Sequence, residues 1–268
     1  MIKDIFVPSK RNTFIPATVY CRDDAKGLLL QAHSFKSDRK EDGRYTAIAK
    51  AAYNAGLNVI SMDFPGNGES KEDFISYSLT SCLDDMESCY TYMLERYPFR
   101  QERMILLGYS MGGRLISLFY ERHREFKELV FWASMNEILH LKDRFLKQEL
   151  QALKDSSKDG VCDFYDIFEE KEDKISERFV DDLLEMDALA PLKHFDGRAL
   201  IVQGKKDITI DPENAEKIYD ALELCKDKKL LWMKEADHGF GLWDGHLKDN
   251  EVLLKETREF LHFIESEE

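Results

Sequence analysis

The chain has 268 residues, of which 43% are hydrophobic and 12% aromatic, enough for a substantial core in one large domain or two modest ones. Its 38 basic and 52 acidic residues give a formal net charge of −14, which repels phosphate backbones and argues against nucleic-acid binding. No stretch approaches the about 18 apolar residues of a membrane-spanning helix, and residues 1–4 open no hydrophobic signal region, so we expect a soluble, cytoplasmic protein.

Strand-like apolar runs alternate with helical patterns along most of the chain, which is typical of a parallel sheet covered by helices on both faces. Residues 1–21 instead predict an antiparallel hairpin at one edge of the sheet. Buried strands are predicted at residues 28–32, 57–62, 104–107, 128–132, 199–203 and 229–233. Helices are predicted at residues 44–55, 81–97, 111–122 and 250–265. One more helix begins with Asp211 as its N-cap and Pro212 at its first position.

Residues 134–190 interrupt this alternation, because they contain no strand pattern and only charged helical sequence. Aromatic residues recur in this segment: Phe145, Phe164, Tyr165, Phe168 and Phe179. One interpretation is a solvated helical excursion whose aromatic side chains pack onto the body of the protein. The other, which we favour, is a lid over a site, since long insertions in compact domains are usually functional. The lid interpretation divides the chain into a core of residues 1–133 and 191–268 and a helical lid of residues 134–190.

The five cysteines are scattered along the chain, odd in number, and include no C-x-x-C pair. This pattern argues against a disulfide framework or a zinc site and favours a reducing compartment. Cys82 and Cys89 are seven residues apart on a predicted helix, which places them two turns apart on one face. We interpret them as core-filling residues.

The strongest catalytic signal is the segment Gly108-Tyr109-Ser110-Met111-Gly112, which follows an apolar strand and leads directly into a helix. A serine on such a tight turn projects its hydroxyl away from the sheet, and small residues two positions before and after it let the backbone turn sharply. The helix N-terminus offers N–H groups to a developing oxyanion. A glycine-rich turn without chemistry is the alternative. We predict that Ser110 is a catalytic nucleophile.

A serine nucleophile needs a base and an acid that orients the base, because its free hydroxyl attacks poorly at neutral pH. In open α/β sheets both are expected after the carboxyl ends of later strands. Asp207 lies four residues after the strand that ends at Gln203, and His238 lies five residues after the strand that ends at Met233. The chain order Ser, Asp, His is the one expected of this arrangement.

Other candidates for these two roles are weaker. Asp211 is better explained as a helix cap, and Asp237 directly precedes the chosen histidine, so on an extended chain its side chain points the other way. His246 lies far beyond its strand, whereas His123 and His262 fall within predicted helices. The prediction therefore depends on three residues at three strand ends rather than on any one of them.

An oxyanion needs two N–H donors. Met111 supplies one by its position directly after the serine. The other is expected from the loop that follows the strand at residues 28–32, where the sequence is His33-Ser34-Phe35. We assign it to Phe35, with Ser34 as the alternative, and an ordinary polar loop is the interpretation without chemistry.

Together these residues resemble the α/β-hydrolase family over nearly the whole chain. The resemblance rests on residues 33–35, residues 63–70, the Ser110 turn, Asp207 and His238. The short insertion after the sixth strand is similar to that of single-lid bacterial esterases acting on cinnamoyl and feruloyl esters. Monoacylglycerol-lipase-like and serine-aminopeptidase-like proteins share much of the pattern. The family implies an α/β-hydrolase fold, with a mostly parallel central sheet covered by helices on both faces and a helical lid insertion.

The sequence departs from the family pattern in three places. The family usually has His-Gly where this chain has His33-Ser34, and often Arg-Gly-His-Gly where this chain has Pro-Gly-Asn-Gly at residues 65–68. The insertion contains no motif that can be aligned. The triad assignment does not depend on these positions, but the prediction of the substrate does.

The resemblance implies a serine carboxylic-ester hydrolase that forms an acyl-enzyme on aromatic, cinnamoyl- or feruloyl-type esters or on short-to-medium acyl esters. Lipase- or lysophospholipase-like and aminopeptidase-like hydrolysis are the alternatives. No metal or organic cofactor is expected. The expected partner is a small-molecule ester, not nucleic acid or a membrane, and a homodimer is left open. The aromatic residues of the insertion, together with Trp132, Phe240 and Trp243 near strand ends, would suit a flat aromatic or medium acyl group.

Two other function classes use the same fold. A non-catalytic binding module would not need the intact serine, acid and histidine. Halide or epoxide chemistry would require a carboxylate at the turn where Ser110 stands.

Overall fold

The computed structural model describes residues 1–137, 146–166, 171–243 and 245–262. The strands in this part of the chain are β1 (Ile2–Pro8), β2 (Phe14–Tyr20), β3 (Gly27–Ala32), β4 (Leu57–Met62), β5 (Arg103–Tyr109), β6 (Glu128–Trp132), β7 (Val161–Asp166), β8 (Lys171–Ser176), β9 (Arg198–Gly204) and β10 (Asp227–Met233). The α-helices are α1 (Arg44–Asn54), α2 (Leu79–Arg96), α3 (Met111–Arg122), α4 (Leu146–Asp155), α5 (Glu177–Glu185), α6 (Glu213–Ala221) and α7 (Lys248–His262). Short 3₁₀ turns lie at Phe74–Ser76 and Ala190–His194.

Eight of these strands form one sheet in the spatial order β1-β2-β4-β3-β5-β6-β9-β10. The strands from β4 to β10 in this order pair in parallel, whereas β2 pairs antiparallel with both β1 and β4. Every residue of β3, β4 and β6 is buried, as a parallel sheet covered on both faces requires. The predicted parallel sheet and its antiparallel edge hairpin are confirmed.

The two faces of the sheet pack against different helices. Leu28 and Leu30 of β3 belong to one hydrophobic cluster, which includes side chains of α2, α3, α5 and α6. Leu29, between them, belongs to a second cluster with side chains of α1 and α7. Cys82 and Cys89 are fully buried in the first cluster, which confirms that they fill the core. In the described part of the chain no helix has both the length and the apolar character needed to cross a membrane.

Three helix starts differ slightly from the prediction. Helix α7 begins at Lys248, two residues early. The other two differ for local reasons. Helix α2 begins at Leu79, two residues early, because Ser78 caps it: its hydroxyl accepts the N–H of Ser81, and the Ser81 hydroxyl accepts the N–H of Ser78. Helix α6 begins at Glu213, one residue after Pro212. Asp211 still caps this helix, since its carboxylate accepts the Glu213 N–H at 3.0 Å.

The prediction that residues 134–190 contain no strand is wrong. Strands β7 and β8 form an antiparallel hairpin between α4 and α5. Cys162 of β7 lies opposite Ile175 of β8, and both are buried, whereas Asp163 is exposed. This alternation has the period of two that defines a half-buried strand, but it is short and lies among charged residues of low strand propensity. Phe145 and Phe168 lie outside the described residues.

Arg114, on the first turn of α3, attaches the insertion to the core. Its guanidinium is buried and donates to the carbonyls of Asn136 at 2.8 Å, Leu183 at 3.1 Å and Met186. Burial lowers the pKa of this guanidinium to about 10, so it is charged at neutral pH. The last carbonyls of a helix have no partner within the helix, and Arg114 supplies one at the end of α5.

Replacing Arg114 with Met should therefore destabilise the protein, because two buried carbonyls and a partly buried one lose a charged donor. We expect the free energy of unfolding in urea to fall by about 2–4 kcal/mol. Arg178→Met is the matched control, since Arg178 on α5 is 58% exposed and its buried ion-pair partner Asp182 keeps two hydrogen bonds from Thr80. The change should therefore cost less than about 1 kcal/mol. Equal unfolding midpoints for the two variants would contradict this role of Arg114.

Candidate active site

Ser110 lies on the turn between β5 and α3 in an unusual backbone conformation, with φ 54° and ψ −117°. L-residues rarely adopt such angles, which store strain and are typical of functional turns. The turn needs glycine on both sides. A Cβ at Gly108 would lie 2.3 Å from the Gly112 carbonyl oxygen, and a Cβ at Gly112 would lie 1.9 Å from the Ala32 carbonyl oxygen. The start of α3 therefore packs directly against the end of β3.

Asp207 and His238, far apart in the sequence, are joined by a hydrogen bond. The His238 Nδ1–H donates to Asp207 Oδ2 at 2.7 Å, and both side chains are almost completely buried. The same carboxylate accepts the side-chain amide of Gln203 at 3.0 Å and the backbone N–H groups of Thr209 and Ile210 at 2.9 and 2.8 Å. These four donors fix the position of the carboxylate.

The competing residues make other contacts. Asp211 caps α6, and the Asp237 carboxylate accepts the Gly241 N–H at 2.9 Å. His123, just after α3, lies between the carboxylates of Glu87 and Glu125, at 2.7 and 3.1 Å. His246 and His262 are exposed. The structure brings none of these side chains into hydrogen-bond contact with Asp207 or His238.

Tyr109 places His238 beside the turn that carries Ser110. Its hydroxyl donates to the His238 carbonyl at 2.8 Å, and the two rings stack with their centroids 5.2 Å apart. Burial raises the pKa of the Tyr109 phenol, which keeps it protonated as a donor. Because Nδ1 of His238 is engaged by Asp207, Nε2 is the nitrogen left to exchange a proton. Among the described residues no hydrogen bond joins the Ser110 hydroxyl to His238; such contacts often tighten only with substrate bound.

In the loop after β3, side chains hold the two consecutive peptide groups on either side of the Ser34 Cα. The Ser34 N–H donates to Glu41 Oε2 at 2.9 Å, so Ser34, the alternative oxyanion donor, is already engaged. The Ser34 carbonyl accepts from Nδ1 of His33 at 2.7 Å, while Nε2 of His33 accepts the Phe64 N–H at 3.0 Å. These partners require the neutral Nδ1–H tautomer of His33. Since a trans peptide directs its C=O and N–H in opposite directions, the Phe35 N–H points away from His33.

Neither assigned oxyanion donor has an acceptor within the described residues. The backbone hydrogen bonds of the loops include none from Phe35. Met111 is the first residue of α3, and the first N–H groups of a helix have no carbonyl four residues earlier to bind. Both N–H groups are therefore available to an anion.

Aromatic side chains hold the Phe35 ring in place. Its centroid lies 5.3 Å from that of Phe74, 5.4 Å from that of Tyr77 and 5.5 Å from that of Phe179. Phe179 belongs to α5 of the insertion and stacks nearly parallel to Phe35. The adjacent Lys36 forms an ion pair with Asp173 of β8. The insertion thus contacts the same loop that carries the Phe35 N–H.

Of the three aromatic residues near strand ends that were expected to contact a flat substrate group, only Trp243 is exposed. Trp132 and Phe240 are completely buried in the core, and the Trp132 indole N–H donates to Thr257. The expectation for these two residues is wrong, because both side chains belong to the hydrophobic cluster that α1 and α7 cover. Trp243 is 56% exposed, and its ring centroid lies 5.6 Å from that of His238.

Glu41 is a buried residue beside the candidate site that the sequence interpretation missed. It lies in the charged segment Asp38-Arg39-Lys40-Glu41-Asp42, which predicts a solvated loop, yet it is 2% exposed. The available signal was Ser34 in place of the usual glycine, since a buried hydroxyl needs a hydrogen-bond partner. In the described residues no group of three His, Cys, Asp or Glu side chains is arranged to hold a metal ion.

Comparison with known proteins identifies the family of the chain. A family model described as serine aminopeptidase, S33, matches residues 24–241. No curated protein matches the chain significantly in sequence.

Several solved structures share the fold. Est1E from Butyrivibrio proteoclasticus, determined with bound ferulic acid, is 18% identical over 96% of this chain and 97% of its own, with a TM-score of 0.74. Mouse α/β-hydrolase domain-containing protein 10 is 16% identical over 98% and 99%, with a TM-score of 0.70. The esterase domain of a Rhodothermus marinus protein is 18% identical over 97% and 98%, with a TM-score of 0.67. The predicted α/β-hydrolase fold is confirmed.

Proposed function

We propose that this chain, which belongs to the serine aminopeptidase S33 family of α/β-hydrolases, hydrolyses carboxylic esters through a covalent acyl-enzyme. Ser110 is the nucleophile, His238 the general base and Asp207 the residue that orients the base. The observation that carries the proposal is the buried Asp207–His238 hydrogen bond beside the strained turn at Ser110. The same three residues were selected from the sequence by their positions after three strands.

In the first step the Ser110 Oγ attacks the carbonyl carbon of the ester, and its proton passes to Nε2 of His238. The resulting imidazolium is stabilised by the Asp207 carboxylate, which accepts the Nδ1–H but takes no proton itself. The Phe35 and Met111 N–H groups bind the carbonyl oxygen as it becomes negative. In comparable sites each such donor contributes about 3 kcal/mol to the transition state.

The tetrahedral intermediate then collapses. The bond to the alcohol oxygen breaks, and the imidazolium of His238 donates its proton to that oxygen as the alcohol leaves. Water attacks the acyl-enzyme in the second half-reaction, giving a proton to His238, which returns it to the Ser110 oxygen as the acid is released. These steps need no metal or organic cofactor.

For the substrate we propose an aromatic or short-to-medium acyl ester. Trp243 offers an exposed aromatic surface 5.6 Å from the general base, and Est1E, which shares the fold, binds ferulic acid. The net charge of −14 disfavours strongly anionic substrates such as acyl-CoA. Residues 134–190 would act as a lid, since Phe179 and Asp173 contact the loop that carries Phe35.

A panel of methyl ferulate, p-nitrophenyl butyrate, a monoacylglycerol and an aminoacyl amide tests the substrate class. We expect the highest kcat/KM with one of the first two esters, because both present a neutral ester and a flat or short group. Faster turnover of the amide would favour the aminopeptidase-like alternative, and faster turnover of the monoacylglycerol would favour the lipase-like one.

Ser110→Ala should lower kcat at least about a thousandfold while leaving the thermal midpoint nearly unchanged, because it removes only the nucleophilic oxygen. A fluorophosphonate should label wild-type Ser110 and leave the variant unlabelled, as detected by mass spectrometry of the intact protein. A wild-type protein that neither reacts with the label nor hydrolyses any ester would support a non-catalytic binding module instead.

Asp207→Asn should lower kcat by about 10³–10⁴, since an amide cannot hold the histidine in the required tautomer or stabilise its charge. Asp211→Asn is the matched control. It makes the same change four residues later, and because asparagine caps helices as well as aspartate does, kcat should change less than about twofold. A severe loss in Asp211→Asn with a mild one in Asp207→Asn would overturn the choice of acid.

A further inference from the structure

We propose that Glu41, supported by Arg44, is a positioning residue that aims the Phe35 N–H at the oxyanion. This inference rests on the proposed function and adds to it a buried ion pair that takes no part in the proton transfers. Within the described part of the chain, neither Glu41 nor Arg44 forms a hydrogen bond or ion pair with the side chains of Asp207 and His238.

The Glu41 carboxylate lies beneath the loop and receives three hydrogen bonds from it. Ser34 donates its backbone N–H to Oε2 and its hydroxyl to Oε1, each at 2.9 Å. Ser37 donates its hydroxyl to Oε1, also at 2.9 Å. One side chain therefore fixes the loop on both sides of Phe35.

These bonds act on the reacting centre through two successive peptide planes that meet at the Ser34 Cα. Glu41 holds the His33–Ser34 peptide by its N–H through a charge-assisted hydrogen bond, and His33 holds the Ser34–Phe35 peptide by its C=O. Neither plane can rotate about the Ser34 Cα without breaking one of these bonds. The Phe35 N–H direction is thereby set before substrate binds. Such preorganised donors stabilise the transition state because they need no rearrangement when charge develops.

Arg44 supports the carboxylate and connects it to the histidine loop. Its Nη2 lies 3.6 Å from Glu41 Oε1, and its Nη1 donates to the carbonyl of Gly239, the residue after His238, at 3.3 Å. The guanidinium also lies over the Tyr109 ring, 4.6 Å from its centroid. Both charged side chains are 2% exposed, and charges this deeply buried are costly unless they are paired.

Glu41→Gln tests this positioning role with little change of shape. The amide keeps one acceptor oxygen but presents an NH₂ group to donors that used the second oxygen. We expect kcat to fall about tenfold to a hundredfold with KM within about twofold, since the loss lies in the transition state.

The deciding measurement is the Ki of an aryl trifluoromethyl ketone. The Ser110 oxygen adds to its carbonyl carbon, the hydroxyl proton passes to His238, and the product carries an oxyanion like that of the transition state. If Glu41 positions the oxyanion donor, Ki should rise by about the same factor as kcat/KM falls. A residue that only stabilised the fold would reduce the amount of active enzyme without changing Ki.

Asp42→Asn is the matched control. The neighbouring Asp42 carboxylate lies 3.8 Å from the same guanidinium but is 65% exposed, and asparagine tolerates its backbone φ of 53°. The change removes the same charge, and kcat and Ki should stay within about twofold of wild type. Equal effects of Glu41→Gln and Asp42→Asn would overturn the proposal.

Should Glu41→Gln fail to fold, Ser37→Ala removes one of the three bonds from an accessible part of the loop and should raise Ki about threefold. An unchanged Ki there would also overturn the proposal. Failure of the proposed function is distinguishable, because wild type itself would then show neither ester turnover nor ketone inhibition. In that case the positioning role of Glu41 would be rejected together with the proposed function.

Discussion

The chemistry of the candidate site depends on the 2.7 Å hydrogen bond from His238 Nδ1 to Asp207 Oδ2. Because this bond commits one ring nitrogen, it leaves Nε2 as the basic atom and fixes the ring orientation. The bond is itself supported: three further donors hold the carboxylate, and the Tyr109 hydroxyl holds the backbone of the histidine. Tyr109 directly precedes Ser110, so the support for the proposed base and the placement of the proposed nucleophile share one strand end.

The sheet brings these groups together through its topology. In a parallel sheet all carboxyl ends lie at one edge, so loops after β3, β5, β9 and β10 meet there although they are separated by up to about two hundred residues in sequence. Glycines at the crossing points allow the close approach, with Gly112 packed against the Ala32 carbonyl. The buried Glu41–Arg44 pair then links two of these loops, one carrying the Phe35 N–H and the other carrying His238.

Sequence reasoning succeeded where a feature is local. The strands and helices of the core follow from apolar periodicity and caps, and the Ser110 turn follows from two glycines around a serine. It failed where the outcome depends on distant contacts. The β7–β8 hairpin is stabilised by Cys162, which packs against Ile175 on the opposite strand. Trp132 and Phe240 are buried because hydrophobic side chains distant in sequence surround them. Glu41 could not be distinguished from its solvated neighbours, because its burial depends on Ser34 and Arg44.

The backbone of Ser110 also bears on how this protein could evolve. A side chain at φ 54° and ψ −117° costs about 1–3 kcal/mol of folding free energy, which glycine at the same position would largely recover. Selection for thermal robustness alone would thus replace the serine. Its presence indicates a trade-off in which the molecule gives up part of its stability margin to keep a hydroxyl at that point.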